Sequence, residues 1–143
     1  MIYTELTCKA MKLAYAAHHE QVDKSGIPYI YHPIHLAEQM QDELTTCVAL
    51  LHDIVEDTAI TLDELKREFP EEVTDAIALM THDPAVPYLE YVARIRENSI
   101  ARAVKIADLT HNSDTTRLVG INTDPESVRQ RIEKYRQALA ILR

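Results

Sequence analysis

The sequence predicts an all-α protein that folds as one domain over residues 1–143, and three observations support this. Glycine occurs only twice in the chain, which disfavours sheets built from tight hairpins. Apolar residues recur at helical spacing in successive segments, and threonine, aspartate or proline precedes several of them at the positions typical of helix starts. We therefore expect a compact helical bundle of roughly seven to nine helices.

The overall composition limits the class of partner. The chain has 15 basic and 23 acidic residues, which gives a formal charge of -8. Such a balance argues against nucleic acid and anionic membranes as partners, whereas a small phosphorylated ligand stays compatible if a metal ion reverses the local field. No segment resembles a membrane span or a signal peptide. Cys8 and Cys47 have the apolar surroundings of reduced core residues, so we expect a cytoplasmic protein. The protein could also form a homo-oligomer.

The first predicted helix covers residues 4–19. Apolar residues follow the helical period here, and Thr4 is in place to cap the start. His18 and His19 fall in the last turn, where an imidazolium suits the helix dipole. Both histidines are therefore expected to be solvated.

A polar loop is predicted over residues 20–31, followed by a helix from His32 to about Gln41. Lys24 and Ser25 in this loop belong either to a simple connector or to a ligand-binding segment. Pro33 suits the first turn of a helix, which places His32 at the helix entry as either a free imidazole or a cap. His35, one turn later, reads as a residue at the edge of the core rather than a partner of a ligand.

The segment 44–57 is predicted as one central helix that carries charge inside an apolar run. Residues at positions i, i+1, i+4 and i+5 share one side of a helix, and His52, Asp53, Glu56 and Asp57 hold those positions. Carboxylates crowded beside apolar residues are costly unless a cation compensates them. The alternative is an exposed acidic face with an incidental histidine, which the flanking apolar residues disfavour.

The rest of the chain is predicted as further helices over residues 62–68, 70–82, 87–97, 99–111 and 125–142. Thr61 and Glu64 form a capping-box pattern, and Asp124 caps the last helix. Asp108 is a second charged residue in apolar surroundings, on the same helix face as Lys105 and Asn112. A salt bridge from Asp108 to Lys105 or Arg102 is the alternative to a ligand role.

Four stretches of the sequence together resemble one family. They are Lys24-Ser25-Gly26, Pro28-Tyr29-Ile30-Tyr31-His32-Pro33, Leu50-Leu51-His52-Asp53 with Glu56-Asp57-Thr58, and Lys105-Ile106-Ala107-Asp108-Leu109 with His111-Asn112. In this order and at this spacing they resemble the hydrolase domain of the RelA/SpoT family, which belongs to the HD-domain superfamily of metal-dependent phosphohydrolases. The resemblance runs from about residue 10 to residue 118 and implies an HD-domain helical bundle, here a stand-alone small alarmone hydrolase.

The resemblance implies a metal site with one divalent ion, usually Mn²⁺. The implied ligands are His32, His52, Asp53 and Asp108. The residues themselves agree with this, because imidazole and carboxylate ligands suit manganese, iron and zinc. Four protein ligands on an octahedral ion leave positions for water and for a substrate oxygen.

The same resemblance implies the reaction and its other residues. Glu56 and Asp57 would orient the attacking water or move its proton. Lys24, Ser25 and Asn112 would face a nucleotide substrate. The reaction implied is removal of pyrophosphate from the ribose 3′ position of guanosine tetra- or pentaphosphate.

Two positions depart from the family pattern. Relatives usually carry arginine where this chain has Asp23, and often arginine where it has Asp114. Arginine pairs with phosphate, whereas aspartate repels it, so the substrate is left open. The alternatives are hydrolysis of another nucleotide or phosphorylated cofactor, as in an NADPH phosphatase, and a non-catalytic module that senses nucleotide or metal. Intact Glu56 and Asp57 disfavour the non-catalytic alternative.

Overall fold

The structure is a computed structural model that describes residues 1–143, and it confirms the all-α prediction. It has no strand, only an isolated bridge between Val22 and Pro28. The α-helices are α1 (Glu5–Ala17), α2 (Tyr31–Glu38), α3 (Glu43–Leu51), α4 (Ile54–Asp57), α5 (Leu62–Glu68), α6 (Glu71–Met80), α7 (Tyr88–Ile95), α8 (Ser99–Asn112) and α9 (Pro125–Leu142), with one 3-10 helix at Thr115–Leu118.

Local capping determines several helix starts. The Thr4 and Thr61 hydroxyls each accept a hydrogen bond from a backbone N–H of the first turn, and both form capping boxes. Asp42 and Asp124 do the same with their carboxylates at the starts of α3 and α9. The predicted starts at Thr4, Thr61 and Asp124 are therefore confirmed.

Helix α3 lies at the centre of the core. Its residues from Thr45 to Leu51 are all buried, and it packs against α1, α2, α6 and α8. Burying a leucine side chain such as Leu50 or Leu51 is worth about 1.5–3 kcal/mol relative to leaving it exposed. The buried helix α3 therefore gives His52, which follows its last residue, a firmly packed support.

The prediction of one helix over residues 44–57 is wrong, because the chain leaves the helix at His52 and Asp53. Asp53 has φ -99° and ψ 0°, and the short helix α4 begins at Ile54. At the end of α3 the His52 ring bonds the Ala49 carbonyl, 2.8 Å away. The break moves Asp53 inward, where its side chain is 20% exposed, and leaves Glu56 and Asp57 near solvent.

One further helix lies beside the site. The 3-10 helix after α8 was not predicted; the Asp114 carboxylate caps it by accepting a hydrogen bond from the Thr116 N–H.

Both cysteines are free thiols, as expected, and burial raises the pKa of Cys47 to about 12. No helix is both long enough and apolar enough to cross a membrane.

Candidate metal centre

Three segments of the fold bring the four predicted ligands together. His32 is in the first turn of α2, His52 and Asp53 occupy the break after α3, and Asp108 lies on the inner face of α8. His32 Nε2 is 3.0 Å from Asp108 Oδ1 and 4.0 Å from Asp53 Oδ2. His52 Nε2 is 3.0 Å from Asp53 Oδ2 and 3.7 Å from Asp108 Oδ1. The donor atoms of His32, His52 and Asp53 all lie within 4.8 Å of one another.

These separations fit a shared ion. Two ligand atoms about 2.1 Å from one ion are about 3.0 Å apart at a right angle and about 4.2 Å apart when opposite. The four measured separations, from 3.0 to 4.0 Å, fall within that range. His32, His52 and Asp53 can therefore hold a divalent metal between their donor atoms, and Asp108, which approaches both histidines, stays a predicted fourth ligand.

The hydrogen bonding of His52 also favours a cation. The Ala49 carbonyl can only accept, so His52 Nδ1 carries the proton and donates it at 2.8 Å. His52 Nε2 is then a buried atom that makes no hydrogen bond, although carboxylate oxygens of Asp53 and Asp108 lie nearby. Burial alone would lower the pKa of His52, but the Asp53 and Asp108 carboxylates together outweigh burial and raise that pKa well above its usual range. The position attracts positive charge.

His32 is oriented by a residue to which the sequence analysis assigned no role. His32 Nδ1 lies 2.8 Å from Nδ1 of His111, and the two rings stack with an angle of 5° between them. Burial, and then the positive charges of Arg117, His32 and His35, lower the pKa of His111 to about 4. A neutral His111 can accept a hydrogen bond from His32 Nδ1, which leaves His32 Nε2 free to bind metal.

Two neighbouring side chains of α8 hold the Asp108 carboxylate. Its Oδ2 accepts a hydrogen bond from Lys105 Nζ at 2.8 Å, and its Oδ1 accepts one from Asn112 Nδ2 at 2.9 Å. Burial would raise the pKa of Asp108, but Lys105 and the two histidines hold it well below its usual range. The salt bridge to Lys105, considered as an alternative from the sequence, is present alongside the approach to His32.

Tyr29 contacts the centre through Asp53. Its hydroxyl donates a hydrogen bond to Asp53 Oδ2, and burial followed by the Asp53 charge raises the pKa of Tyr29 far above its usual range. Tyr29 therefore stays protonated as a donor to Asp53. For Asp53 itself, burial would raise the pKa, but the neighbouring His52 lowers it, so the carboxylate stays charged.

Glu56 and Asp57 lie on α4, beside the centre and exposed to solvent. Glu56 Oε1 accepts a hydrogen bond from the backbone N–H of His82, which fixes one end of its carboxylate. Burial raises the pKa of both residues; the nearby Asp53 charge adds to the shift, and the His82 N–H partly offsets it at Glu56. Raised pKa values suit carboxylates that accept a proton.

Two clefts open beside the centre and contain the predicted substrate residues. Lys24 and Asn112 line a cleft of about 370 Å³. Ser25 lines the other cleft, of about 520 Å³, together with His32. Tyr29 lines both, so the two clefts meet beside the centre. The structure thus places these three residues within reach of one small ligand, and their contacts with it stay a prediction.

The smaller cleft is lined by three cations and two carboxylates, Asp23 and Asp114. Lys24, Arg117 and Arg131 line it, and neither Lys24 nor Arg131 forms a salt bridge. Arg131 Nε is buried without a hydrogen-bond partner. The sequence did not reveal Arg117 and Arg131, because they come from the 3-10 helix and α9, far along the chain from Lys24.

Three histidines outside the predicted ligand set differ in how they compare with the sequence expectation. His18 was expected to be solvated but is 2% exposed. Its Nδ1 bonds Gln21 Oε1 at 2.8 Å, and Gln21 Nε2 donates to the Asp57 carbonyl at 2.8 Å. His19 is exposed, as expected. His35 lies at the exposed edge, as expected, and stacks on His111 at 4.0 Å.

The chain belongs to the HD-domain family. The family model described as HD domain matches residues 10–142, which is most of the chain. The match confirms the predicted resemblance at the level of the superfamily.

Individual relatives give narrower comparisons. A GTP pyrophosphokinase of Streptomyces coelicolor is 34% identical over 140 residues, which is 89% of this chain and 16% of that protein. A guanosine-3′,5′-bis(diphosphate) 3′-pyrophosphohydrolase of Mus musculus is 39% identical over 113 residues, 68% of this chain and 63% of that protein. The chain spans only 16–18% of the length of several long relatives.

A solved structure confirms the fold. It is described as a metazoan ortholog of SpoT that hydrolyzes ppGpp, and it superposes with a TM-score of 0.85. The superposition covers 100% of this chain and 88% of the other, at 22% sequence identity. At that identity the likeness concerns the arrangement of helices.

Proposed function

We propose that this protein is a Mn²⁺-dependent phosphohydrolase that removes the 3′-pyrophosphate of guanosine tetra- or pentaphosphate. The observation that carries the proposal is the convergence of His32, His52, Asp53 and Asp108 beside a cleft lined by unpaired cations. Relatives named guanosine-3′,5′-bis(diphosphate) 3′-pyrophosphohydrolase support the substrate. The family match supports metal-dependent chemistry in general.

The ligand set favours one ion of the manganese, iron or zinc type. Two imidazoles and two carboxylates form a mixed nitrogen and oxygen donor set, and the resemblance to the RelA/SpoT hydrolase domain favours manganese within it. When bound, the ion would supply a Lewis acid for the phosphoryl oxygen and lower the pKa of its water. His111 and Lys105 would keep His32 and Asp108 in place for binding.

The protein's own residues divide the remaining work. Asp57 and Glu56 would hold the proton taken from the attacking water, since their carboxylates lie beside Asp53 and their pKa values are raised. Lys24 and Arg131 would bind phosphate oxygens in the smaller cleft. Asn112 would connect the two regions, because it lines the cleft and donates to Asp108.

A second candidate is hydrolysis of another phosphorylated nucleotide, such as a 2′-phosphorylated cofactor. The observation in its favour is that Asp23 lines both clefts and Asp114 lines the smaller one. Two carboxylates at the clefts reduce the attraction for a ligand with many phosphates. A ligand with fewer charges tolerates them better.

Product release from a nucleotide panel tests the proposal. The metal-loaded protein is incubated with guanosine tetraphosphate, NADPH and GTP, and pyrophosphate and orthophosphate are measured separately. We expect pyrophosphate from guanosine tetraphosphate alone. Orthophosphate from NADPH alone would favour the second candidate. No release, with stoichiometric Mn²⁺ and measurable nucleotide binding, would indicate a non-catalytic module.

A paired variant tests the proton-transfer residues. Glu56→Gln with Asp57→Asn should lower turnover by about 10² or more while Mn²⁺ stoichiometry by elemental analysis stays that of the wild type. The matched control is Asp63→Asn, which neutralises an exposed carboxylate on α5. Wild-type turnover in the paired variant would show that these carboxylates do not handle the proton.

A further inference from the structure

We infer that Arg117 binds a phosphate group of the substrate and that Asp23 holds the Arg117 guanidinium until the substrate displaces it. The inference rests on the proposed function and names the specificity residue of that site. Arg117 comes from the 3-10 helix, and Asp23 comes from the loop before α2. Both line both clefts, so the pair lies where the two clefts meet.

The guanidinium of Arg117 is fixed at one nitrogen and free at the others. Nη1 donates to Asn112 Oδ1 at 3.0 Å and to the His111 carbonyl at 3.1 Å. Nη2 lies 3.8 Å from Asp23 Oδ2, which is an ion-pair contact longer than a hydrogen bond. A guanidinium has five N–H donors in a planar fork, so those of Nη2 and Nε stay available. This is the geometry that binds phosphate through two parallel hydrogen bonds.

Asp23 uses its two oxygens differently. Oδ1 accepts hydrogen bonds from the backbone N–H groups of Ser25 and Ile27, at 2.9 and 3.0 Å, and so shapes the loop. Oδ2 is the oxygen that approaches Arg117. The loop is also tied to the 3-10 helix, because Ser25 Oγ donates to the Arg117 carbonyl at 2.5 Å. The loop therefore keeps its shape when Oδ2 loses its contact with Arg117.

Charge explains why a phosphate would replace Asp23. The Arg117 and Asp23 side chains are 24% and 21% exposed, so water and ligand reach the pair. A phosphate offers more negative charge and more acceptor oxygens than one carboxylate oxygen at 3.8 Å. Lys24 and Arg131 in the same cleft add attraction for the same group. Arg117 thus compensates for the lack of an arginine at position 23, and the expected ligand is a polyphosphorylated nucleotide.

Two substitutions with opposite expected effects test the inference. Arg117→Gln removes the phosphate contact and should raise KM for guanosine tetraphosphate about tenfold, with little change in kcat. Asp23→Asn keeps Oδ1 for the loop but removes the competing charge, so it should lower KM by about twofold to fivefold. Both differences should shrink at high ionic strength. The matched control is Arg129→Gln, an exposed arginine of α9 paired with Glu126, which should change nothing.

A salt bridge that only stabilises the loop predicts a different pattern. In that case both substitutions would shift KM in the same direction and lower the melting temperature together. That result, or an unchanged KM in both variants, overturns the inference. If Arg117→Gln does not fold, Asp23→Asn decides alone, because a lowered KM supports displacement and an unchanged or raised KM refutes it.

Equilibrium binding separates this inference from the proposed reaction. Guanosine 5′-diphosphate, which the proposed reaction would leave, is titrated into the metal-loaded protein by calorimetry, without turnover. Weaker binding by Arg117→Gln and tighter binding by Asp23→Asn support the inference even if guanosine tetraphosphate is not hydrolysed. Normal hydrolysis with identical diphosphate affinities and identical KM values in all variants overturns the inference and leaves the proposed function in place.

Discussion

Replacing His111 by phenylalanine should weaken metal binding without removing a metal ligand. Phenylalanine keeps a ring to stack on His32 but loses the acceptor that lies 2.8 Å from His32 Nδ1. His32 is only 4% exposed, so water does not replace that acceptor easily. A buried N–H left without a partner costs about 1–3 kcal/mol, and 1.4 kcal/mol is a factor of ten in affinity. The metal dissociation constant should therefore rise by roughly 10- to 100-fold.

Titration of the metal-free protein with Mn²⁺ measures this effect, with the signal of free Mn²⁺ followed by electron paramagnetic resonance. His35→Phe is the matched control, since His35 also stacks on His111, with ring centroids 4.0 Å apart, and is exposed. The control should bind Mn²⁺ like the wild type. If both variants lose affinity equally, the loss does not come from the hydrogen bond between His111 and His32. If neither loses affinity, the role assigned to His111 is wrong.

The remaining predictions concern the ligands, the backbone and the thiols. Asp53→Ala should abolish Mn²⁺ binding, and full stoichiometry by elemental analysis would remove Asp53 from the ligand set. Glu20→Gly should raise the free energy of unfolding by about 0.5–1 kcal/mol in urea, because Glu20 has φ 76° and only glycine adopts that conformation without strain; a loss of stability would contradict this. A thiol reagent at pH 8 should label Cys8 in the folded protein but Cys47 only after unfolding, because Cys47 is buried and its pKa is about 12; rapid labelling of both would show that the core opens.

The parts of the fold that could be predicted are those that local interactions determine. Thr4, Thr61 and Asp124 bond backbone N–H groups within the next three residues, so the helix starts are visible in the sequence. The break at His52 and Asp53 is different. The apolar run before it continues the helical period, and no glycine or proline marks an end. The chain leaves the helix where His52 and Asp53 meet α2 and α8, and periodicity does not reveal such long-range contacts.

The candidate site divides in the same way. The sequence indicated His32, His52, Asp53 and Asp108 as ligands because each is a metal-binding residue type within an apolar segment. A charge in the core needs a partner. The signal that could have identified His111 is its spacing, since it follows Asp108 by three residues and shares that face of α8. Arg117 and Tyr29 offered no comparable signal, because their roles depend on how the loop before α2 packs against the end of α8.

Lys105 explains how an acidic protein can present a positive site to a phosphate. Two carboxylate ligands and a divalent ion would sum to a neutral centre, since Asp53 and Asp108 contribute -2 and the ion +2. Lys105 Nζ, 2.8 Å from Asp108 Oδ2 and largely buried, adds +1 to that sum. The ion, its ligands and Lys105 together would then carry a net +1, with the Glu56 and Asp57 carboxylates outside that sum, in a chain whose formal charge is -8. In a buried site that charge is screened little by salt, so it would act on the phosphoryl group at short range while the acidic surface repels other polyanions.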